Sequence, residues 1–525
     1  MYPDNKTPLK EQYEALSQLR ASYLSRAEQA SKYTLPWYVK SDGIKDGTLA
    51  TPYQSVGSEG VNNLASRLVM VLMPPNRPMF RLRIARHLIA QAETDPDKDK
   101  LTRINSGLSR IETEATGLIE ATGDRTQLYT AILHLLIAGN VLLYVKADGT
   151  KIYSLKNYVV QRDPDGNPLL IITKEETADS VLPAKTLKAI RKQNTTQEEP
   201  SPTDPTTHEI YTSIRLKNNT WHIRQECEGI QIGTPGTYPL DKCPWIPLRL
   251  YRSEEEDYGR GYVEQYYGSL HALSVLSEAI LAAAAAASKV IFLVRPSATT
   301  KIESLVRAEN LSFVQGKADD IDILQIEKYN DLKTAQTQAQ ELTQQLSKVF
   351  LMNTAIQRNA ERVTAEEIRY MAQELETALG GLYSVLAKEF QKPYITLRIK
   401  YLQQQNKLPP FAPGITPEVI TGVDALGRGQ DANTLIQYGQ QIFKTLPPDA
   451  VMQYVNVQGY LKSLAAAYGI DDTTILKDDQ QIQAEQQQAQ QQQMIQQALP
   501  SAINAGGKIL DTQLKGEQTN GKTEP

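Results

Sequence analysis

The sequence predicts a mainly α-helical protein with β inserts, an α+β chain, and three observations carry that reading. Several long stretches place apolar residues at helical spacing. Between about residues 141 and 250 the period shifts to that of strands, with turn-forming residues between the runs. Past residue 258 the chain returns to long helices, interrupted once by a short β-rich insert.

Residues 8 to 33 form the first predicted helix, with Leu9, Leu16, Leu19, Tyr23 and Ala30 near one face; Leu35-Pro36 ends it. Ser58 to Met73 is a second, more apolar helix, stopped by Pro74-Pro75. Met79 to Ile84 alternates apolar and basic residues and is a strand candidate. Helices follow over about 96 to 120 and 124 to 138. The latter carries Leu128, Ile132, Leu135 and Leu136 and closes at Gly139-Asn140. The runs VLLYV, KIYSL, YVVQR and LLIIT then read as strands. Asp163 to Asn167 resembles half a calcium loop, but Gly166 precedes Asn167 where an EF-hand needs its glycine after the third ligand, so a hairpin turn is expected. Residues 194 to 207 are a polar, proline-rich loop. IYTSIRL and TWHIRQE flank an Asn218-Asn219 turn, and WIPLRLY follows.

Glu264 to about Lys289 is one long helix ending in an alanine run. The alanines either let neighbouring helices approach closely or fill exposed positions with a good helix former. VIFLV, LSFV and IDILQI are short strand candidates between 290 and 327, and a second long helix covers roughly 331 to 352. The polar connection Asn353 to Val363 leads to a third helix, about Thr364 to Gln404, opened by a Thr364/Glu367 capping box. Its buried face is Ile368, Met371, Leu375, Leu379, Leu382, Leu386 and Phe390. Gly380-Gly381 predicts a bend or close helix approach, and Pro393 a second kink. A smaller helical unit runs from beyond Pro409-Pro410 to about 470, and a Gln-rich, partly disordered tail begins at 478.

The 525 residues carry 41% hydrophobic and 22% charged residues and a formal net charge of −4. No basic block is present, so any contact with nucleic acid is expected to be loose. Cys227 and Cys243 form no CxxC, and the five histidines make no ligand cluster, so reduced thiols, structural histidines and no metal are expected. The N-terminal stretch lacks the apolar region of a signal peptide. Ala279 to Val294, the most membrane-like run, falls short of the ~20 residues that span a bilayer. No phosphate loop is complete: Ala505-Gly506-Gly507-Lys508-Ile509 lacks the first glycine and the hydroxyl. Gly259-Arg260-Gly261 lacks the third glycine of a dinucleotide fingerprint and reads as a helix entry. The acidic run Glu254 to Asp257 reads as a solvated loop. No catalytic residue and no cofactor are expected.

Longer stretches are more specific than any of these. Thr51 to Gly57 with Asn62 to Ser66, Ala138 to Tyr144, Tyr158 to Asp163, Gly236 to Pro239, Tyr258 to Arg260, Arg362 to Tyr370 and Gly427 to Asp431 occur in order. Through them the chain resembles the portal, or head-to-tail connector, proteins of short-tailed, autographivirus-type double-stranded DNA phages. The extreme N-terminus and the tail after about 475 match poorly.

The resemblance implies a portal-protein fold with wing, stem, clip and crown regions. The wing would be 1–262, the stem helices 263–289 and 329–352, the clip 290–328 and the channel loop 353–363. A long kinked wing helix over 364–411, a crown over 412–477 and the tail 478–525 complete the chain. It also implies a homo-oligomeric ring of twelve subunits in the virion, assembled in the host cytoplasm. The ring would conduct double-stranded DNA during packaging and ejection and dock terminase, a tail adaptor, and the major capsid and scaffolding proteins. Taken alone, 353–363 reads as an ordinary helix link. The resemblance makes it DNA-facing, through Gln357, Arg358, Asn359 and Arg362, with the two arginines contacting phosphates. A packaging ATPase or nuclease and a helical scaffolding protein are the alternatives. The missing Walker motif and carboxylate clusters speak against the enzyme.

Overall fold

The structure is a computed structural model that describes residues 7–40, 49, 51–75, 79–84, 100–193, 207–253, 256–287, 291–296, 301, 303, 306–309, 313, 315–324, 329–352, 365–411, 417–421, 428–447, 451, 454–455 and 457–468. It mixes helices and sheets, and its contacts divide it into two compact units. One comprises residues 1–88 and 111–427, the other 89–110 and 428–525.

In the larger unit, helix α1 (Leu9–Lys32) opens the chain and α2 (Val56–Leu72) follows, both where apolar periodicity predicts them. The buried face of α1 keeps the expected Leu9, Leu16 and Ala30 and departs from expectation at Leu19. Leu19 is 65% exposed, and the buried stripe runs through Leu9, Gln12, Tyr13, Leu16, Arg20, Ala27 and Ala30. Arg20 displaces Leu19 because its guanidinium can donate to the carbonyl oxygens of Leu155, Lys156 and Tyr158, at 2.8, 3.0 and 2.7 Å. A cation so bonded is tolerated inside.

Strand β1 (Arg81–Ile84) precedes α3 (Lys100–Glu120) and α4 (Asp124–Ala138). The division between the units falls within α3, between Arg110 and Ile111. Gly139, at φ 72°, ends α4 in the left-handed conformation that glycine adopts without penalty.

Strands β2 (Asn140–Val145), β3 (Thr150–Ser154) and β9 (Trp245–Arg249) make a three-stranded sheet in the order β3-β2-β9. A five-stranded antiparallel sheet contains β4 (Tyr158–Arg162), β5 (Pro168–Ala178), β6 (Thr207–Lys217), β7 (Thr220–Cys227) and β8 (Ile230–Pro239) in sequence order. Its β4-β5 end is covered on both sides, which explains the uninterrupted apolar run of β5. Val159, Leu170, Ile172 and Tyr211 pack on Leu9, Tyr13 and Leu16 of α1. Val160, Ile171 and Ile214 share a core with Leu142, Trp245 and Tyr258. Asp163 to Asn167 is the expected turn, Asp163 N–H donating to Asn167 O at 2.9 Å. Asn218 and Asn219, at φ 51° and 57°, form the other hairpin turn.

Helix α5 (Ala184–Gln193) and strand β8 were not expected from the sequence. The polar loop ascribed to 194–207 lies outside the described residues up to 206, and Thr207 already belongs to β6. The acidic run is less solvated than expected. Glu254 and Glu255 lie outside the described residues, but Glu256 pairs with Arg260 at 3.0 Å and Asp257 accepts the Arg162 N–H at 2.7 Å. Three arginines from β4, β9 and the helix entry draw the loop in.

Helix α6 (Tyr262–Ala287) runs alongside α7 (Tyr329–Val349), with the hairpin of β10 (Ile291–Val294) and β11 (Ile321–Leu324) between them in sequence. The LSFV strand falls largely outside the described residues. The apolar run read from Ala279 begins seventeen residues inside a longer helix, and Tyr262–Ala286 is long and apolar enough to cross a membrane by length and composition, with 17% of its apolar window buried within the chain.

The third long helix is broken into α8 (Ala365–Ala378), α9 (Leu382–Leu386), a π-turn (Ala387–Gln391) and α10 (Lys392–Gln404). Gly380 and Gly381 both adopt positive φ, 61° and 84°, so the expected bend is a full interruption. The π-turn supplies the second expected distortion, just where Pro393 would clash with the preceding helical turn. Ile368, Met371, Leu375, Leu379, Leu382, Leu386 and Phe390 are all at most 4% exposed, as their spacing predicts. Thr364, the expected cap, lies outside the described residues. Strand β12 (Pro417–Ile420) pairs with β1, a strand inside the stretch expected to be helical. The sequence separation of more than 330 residues hid that pairing.

The smaller unit holds α11 (Arg428–Thr445) and α12 (Val457–Tyr468), packed where Gly439 lets the Tyr460 ring approach. The Gln-rich tail lies outside the described residues.

Candidate functional site

Gln357, Arg358, Asn359 and Arg362, the residues expected to face DNA, lie outside the described residues. The structure does define how the segment that carries them is held at both flanks, and one helix does most of it.

The upstream flank is the end of α7. Leu351 N–H donates to Lys348 O at 3.2 Å and Met352 N–H to Ser347 O at 2.8 Å, the two bonds of a Schellman cap. The capping position normally belongs to glycine. Here Leu351 occupies it at φ 55°, a conformation costing an L-residue roughly 1–2 kcal/mol. Surrounding contacts offset that cost. Asn63 of α2 donates through Nδ2 to the carbonyls of Phe350 and Leu351, both at 3.0 Å. Tyr262 donates its hydroxyl to Val349 O at 2.9 Å. Burial, reinforced by neighbouring Tyr266, pushes the Tyr262 hydroxyl pKa up, which keeps it a proton donor. Phe350 is fully buried, and its ring lies where a Cβ on Gly60 would stand. The absence of that Cβ lets α2 and α7 meet.

The downstream flank, α8, rests on the same helix. Arg67 of α2 pairs with Glu374 at 3.1 Å, both side chains largely covered. Beyond the glycine interruption, Gln391 in the π-turn donates to Leu72 O at 2.6 Å, satisfying a carbonyl at the end of α2. Asn62 accepts from Tyr129 of α4 at 2.9 Å. Helix α2 therefore ties α4, α7, α8 and the π-turn together.

Four of the segments that carry the sequence resemblance, at 138–144, 158–163, 236–239 and 258–260, are joints of this kind. Asn140 bonds Gly259 twice, donating to its carbonyl and accepting from its N–H, each at 2.7 Å. Gly139 lies against the Arg260-Gly261 backbone. Tyr258, 2% exposed, accepts the Val160 N–H at 3.1 Å. Arg162 donates to the carbonyls of Asp257, Gly166 and Pro247 at 3.0, 2.9 and 3.0 Å. Tyr238 sets its ring edge-on to Trp245, which stacks on Tyr144 at 4.3 Å. Most of these joints could not be read beforehand, because Asn140, Tyr258 and Asn63 meet backbone atoms about 100 to 290 residues away.

These groups hold backbone and neighbouring rings in place, and what they brace is a mixed α+β scaffold. A sequence profile of the family described as bacteriophage head to tail connecting protein matches residues 6–476. The portal protein of Escherichia phage T7 is 37% identical over 97% of this chain and 94% of its own length. That of Enterobacteria phage T3 is 37% identical over 90% and 88%, and that of Enterobacteria phage SP6 30% over 96% of each. Among solved structures, the neck of an empty gene transfer agent particle matches 75% of this chain and 91% of that chain at 12% identity and a TM-score of 0.35. The chain belongs to the bacteriophage head to tail connecting protein family, as its own residues led us to expect.

Proposed function

We propose that the chain acts as the structural portal of a short-tailed double-stranded DNA phage. Copies close into a ring, of twelve subunits by the expectation above, that admits, retains and releases the genome at one capsid vertex. The observation that carries the reading is the 37% identity to a portal protein over 97% of the chain. The role is structural and non-enzymatic, and its place is the virion, at the head–tail junction.

The exposed face of α6 supports self-association. Val275 and Leu281 are 50% and 58% exposed, and Ala282 to Ala285 are exposed beside them. An apolar helix flank of this kind needs a cover. A neighbouring copy supplies it in a closed head-to-tail ring, where one interface repeats at every subunit. The small alanines then serve close helix approach, and the same surface meets protein instead of lipid.

In this reading 1–262 is the wing, 263–289 and 329–352 the stem, 290–328 the clip, 353–363 the channel loop, 364–411 the kinked wing helix and 412–477 the crown. Terminase and the tail adaptor dock at the clip, and capsid and scaffolding proteins surround the ring. Arg358 and Arg362 repeat once per subunit as rings of charge facing DNA. The net charge of −4 keeps the remaining attraction weak, which suits a sliding duplex. Force comes from a separate ATPase.

Electron microscopy of the purified full-length protein tests the ring: annular particles are expected, and monomers or open filaments under all assembly conditions would sink the proposal. For the loop, Arg358→Ala with Arg362→Ala should leave rings intact and reduce packaged or retained DNA. Normal DNA yield and retention in that double variant would remove the DNA-facing role.

A further inference from the structure

At one end of the five-stranded sheet the fold brings together three side chains that the sequence scatters. His208 begins β6, Cys227 ends β7, and Glu228 starts the turn into β8. One donor atom from each lies within 4.8 Å of the other two. His208 is 7% exposed and Cys227 fully buried, while Glu228 reaches the surface. We propose that His208 Nδ1, Cys227 Sγ and the Glu228 carboxylate form a zinc-binding site, with Asp179 holding the histidine from behind.

The donor set is the mixed nitrogen, sulfur and oxygen set that zinc takes, three protein ligands leaving a fourth position for water. Zinc–ligand bonds of about 2.0–2.3 Å set tetrahedral donors roughly 3.5 Å apart, so donors already within 4.8 Å need only a small closure. The two ring nitrogens are differentiated. Nδ1 faces Glu228 at 2.7 Å, and Nε2 faces Asp179 at 2.6 Å. A carboxylate that accepts from the outer N–H of a histidine fixes its tautomer and turns the other nitrogen to the metal, the usual outer arrangement of histidine–zinc sites. Asp179 is placed for that by the short turn after β5.

The turn itself gives an independent sign. Glu228 sits at φ 49°, followed by Gly229 at φ 78°. The preceding hairpin of the same sheet fills its positive-φ positions with Asn218 and Asn219, residues suited to them. Glutamate is not, yet here it puts a carboxylate over His208. Backbone conformations that resist their residue concentrate where a side chain must be aimed.

Metal entry displaces the proton of the Cys227 thiol, and any proton on His208 Nδ1, to solvent. Nε2 keeps its proton against Asp179. Thiolate and Glu228 carboxylate then balance the divalent charge. The bound ion joins the beginning of β6, the end of β7 and the turn to β8 while, through Asp179, reaching the end of β5.

The test is titration of the full-length protein with Co²⁺, followed by its displacement with Zn²⁺. A thiolate-to-cobalt charge-transfer absorption is expected, with one equivalent per chain, lost on zinc addition. Cys227→Ser should abolish the band, and Cys243→Ser should leave it unchanged. Asp179→Asn should keep the band and weaken affinity about 10–100-fold. Unfolding of Cys227→Ser in chelator, matched to wild type in chelator, checks that the fold survives. If it does not, zinc X-ray absorption of the wild-type chain loaded with one equivalent decides the same question, one sulfur being expected among the ligands. No charge-transfer band, a band that survives Cys227→Ser, or a zinc shell without sulfur overturns the proposal.

Discussion

Gly60→Ala is the sharpest probe of how α2 supports the segment after α7. By helix propensity alone the change should stabilise α2 by about 1 kcal/mol. Packing opposes it. The new methyl would stand 2.5 Å from Phe350 Cγ, 2.7 Å from Cδ2 and 2.8 Å from Cβ. Carbon atoms prefer about 3.5–4.0 Å, so Phe350 must retreat by roughly 1 Å. It is fully buried and anchored at its Cβ as well as its ring, which closes the easy rotamer escape. Overpacking of this kind costs about 1–3 kcal/mol, so the net effect is destabilisation by up to about 2 kcal/mol. The displacement acts directly on the Schellman cap. Hydrogen exchange at the Met352 amide, which donates to Ser347 O, should therefore accelerate several-fold. Phe350→Leu should cost less in the Gly60→Ala background than in wild type, giving a coupling of about 1 kcal/mol. A Gly60→Ala protein that melts at or above the wild-type temperature, with unchanged Met352 exchange and no coupling, would refute the reasoning.

Two further outcomes follow from buried ionisable groups. Asp124 pairs with Arg398, each side chain 2% exposed, and also accepts from the Tyr394 hydroxyl at 2.5 Å and the Thr150 N–H at 2.9 Å. Asp124→Ala strands a buried guanidinium and should cost about 3–5 kcal/mol in chemical denaturation, whereas adding Arg398→Met should recover part of the loss. His134, 8% exposed, has its pKa pushed down by burial to about 4. The unfolded chain binds the proton first, so this contribution is complete above pH 6.5 and is lost as pH falls from 6.5 to 4, by roughly 3 kcal/mol in all. His134→Gln should flatten that limb of the stability–pH curve; an unchanged slope counts against a neutral buried imidazole.

The helices were legible because their apolar spacing is local. The seven-residue stripe from Ile368 to Phe390 is buried throughout, and Gly380-Gly381 announced its own break. Leu19 misled because hydrophobicity was weighed without the carbonyls that wait for Arg20. Helix α5 carries Leu187 and Ile190 at helical spacing and was simply overlooked, whereas strand β12 is short and gains its stability from β1 more than 330 residues away, so no local pattern marks it. The same holds for the candidate site. Family resemblance directed attention to 353–363, but not to Asn63, whose role is to donate to two carbonyls 287 and 288 residues away. Asparagine in a helix gives no such hint. The gathering of His208, Cys227 and Glu228 was equally hidden, since strand register alone brings β6 and β7 into line.

The attachment of α7 and α8 to a single helix has a mechanical meaning. Phe350 and Glu374 bear on α2 only seven residues apart, at Gly60 and Arg67, roughly 10 Å along the axis. A push on the segment between them is thus carried by one strut instead of two separate walls. Both of its roots shift as a pair, and the strain passes on through Tyr129 and Gln391 into the body of the larger unit.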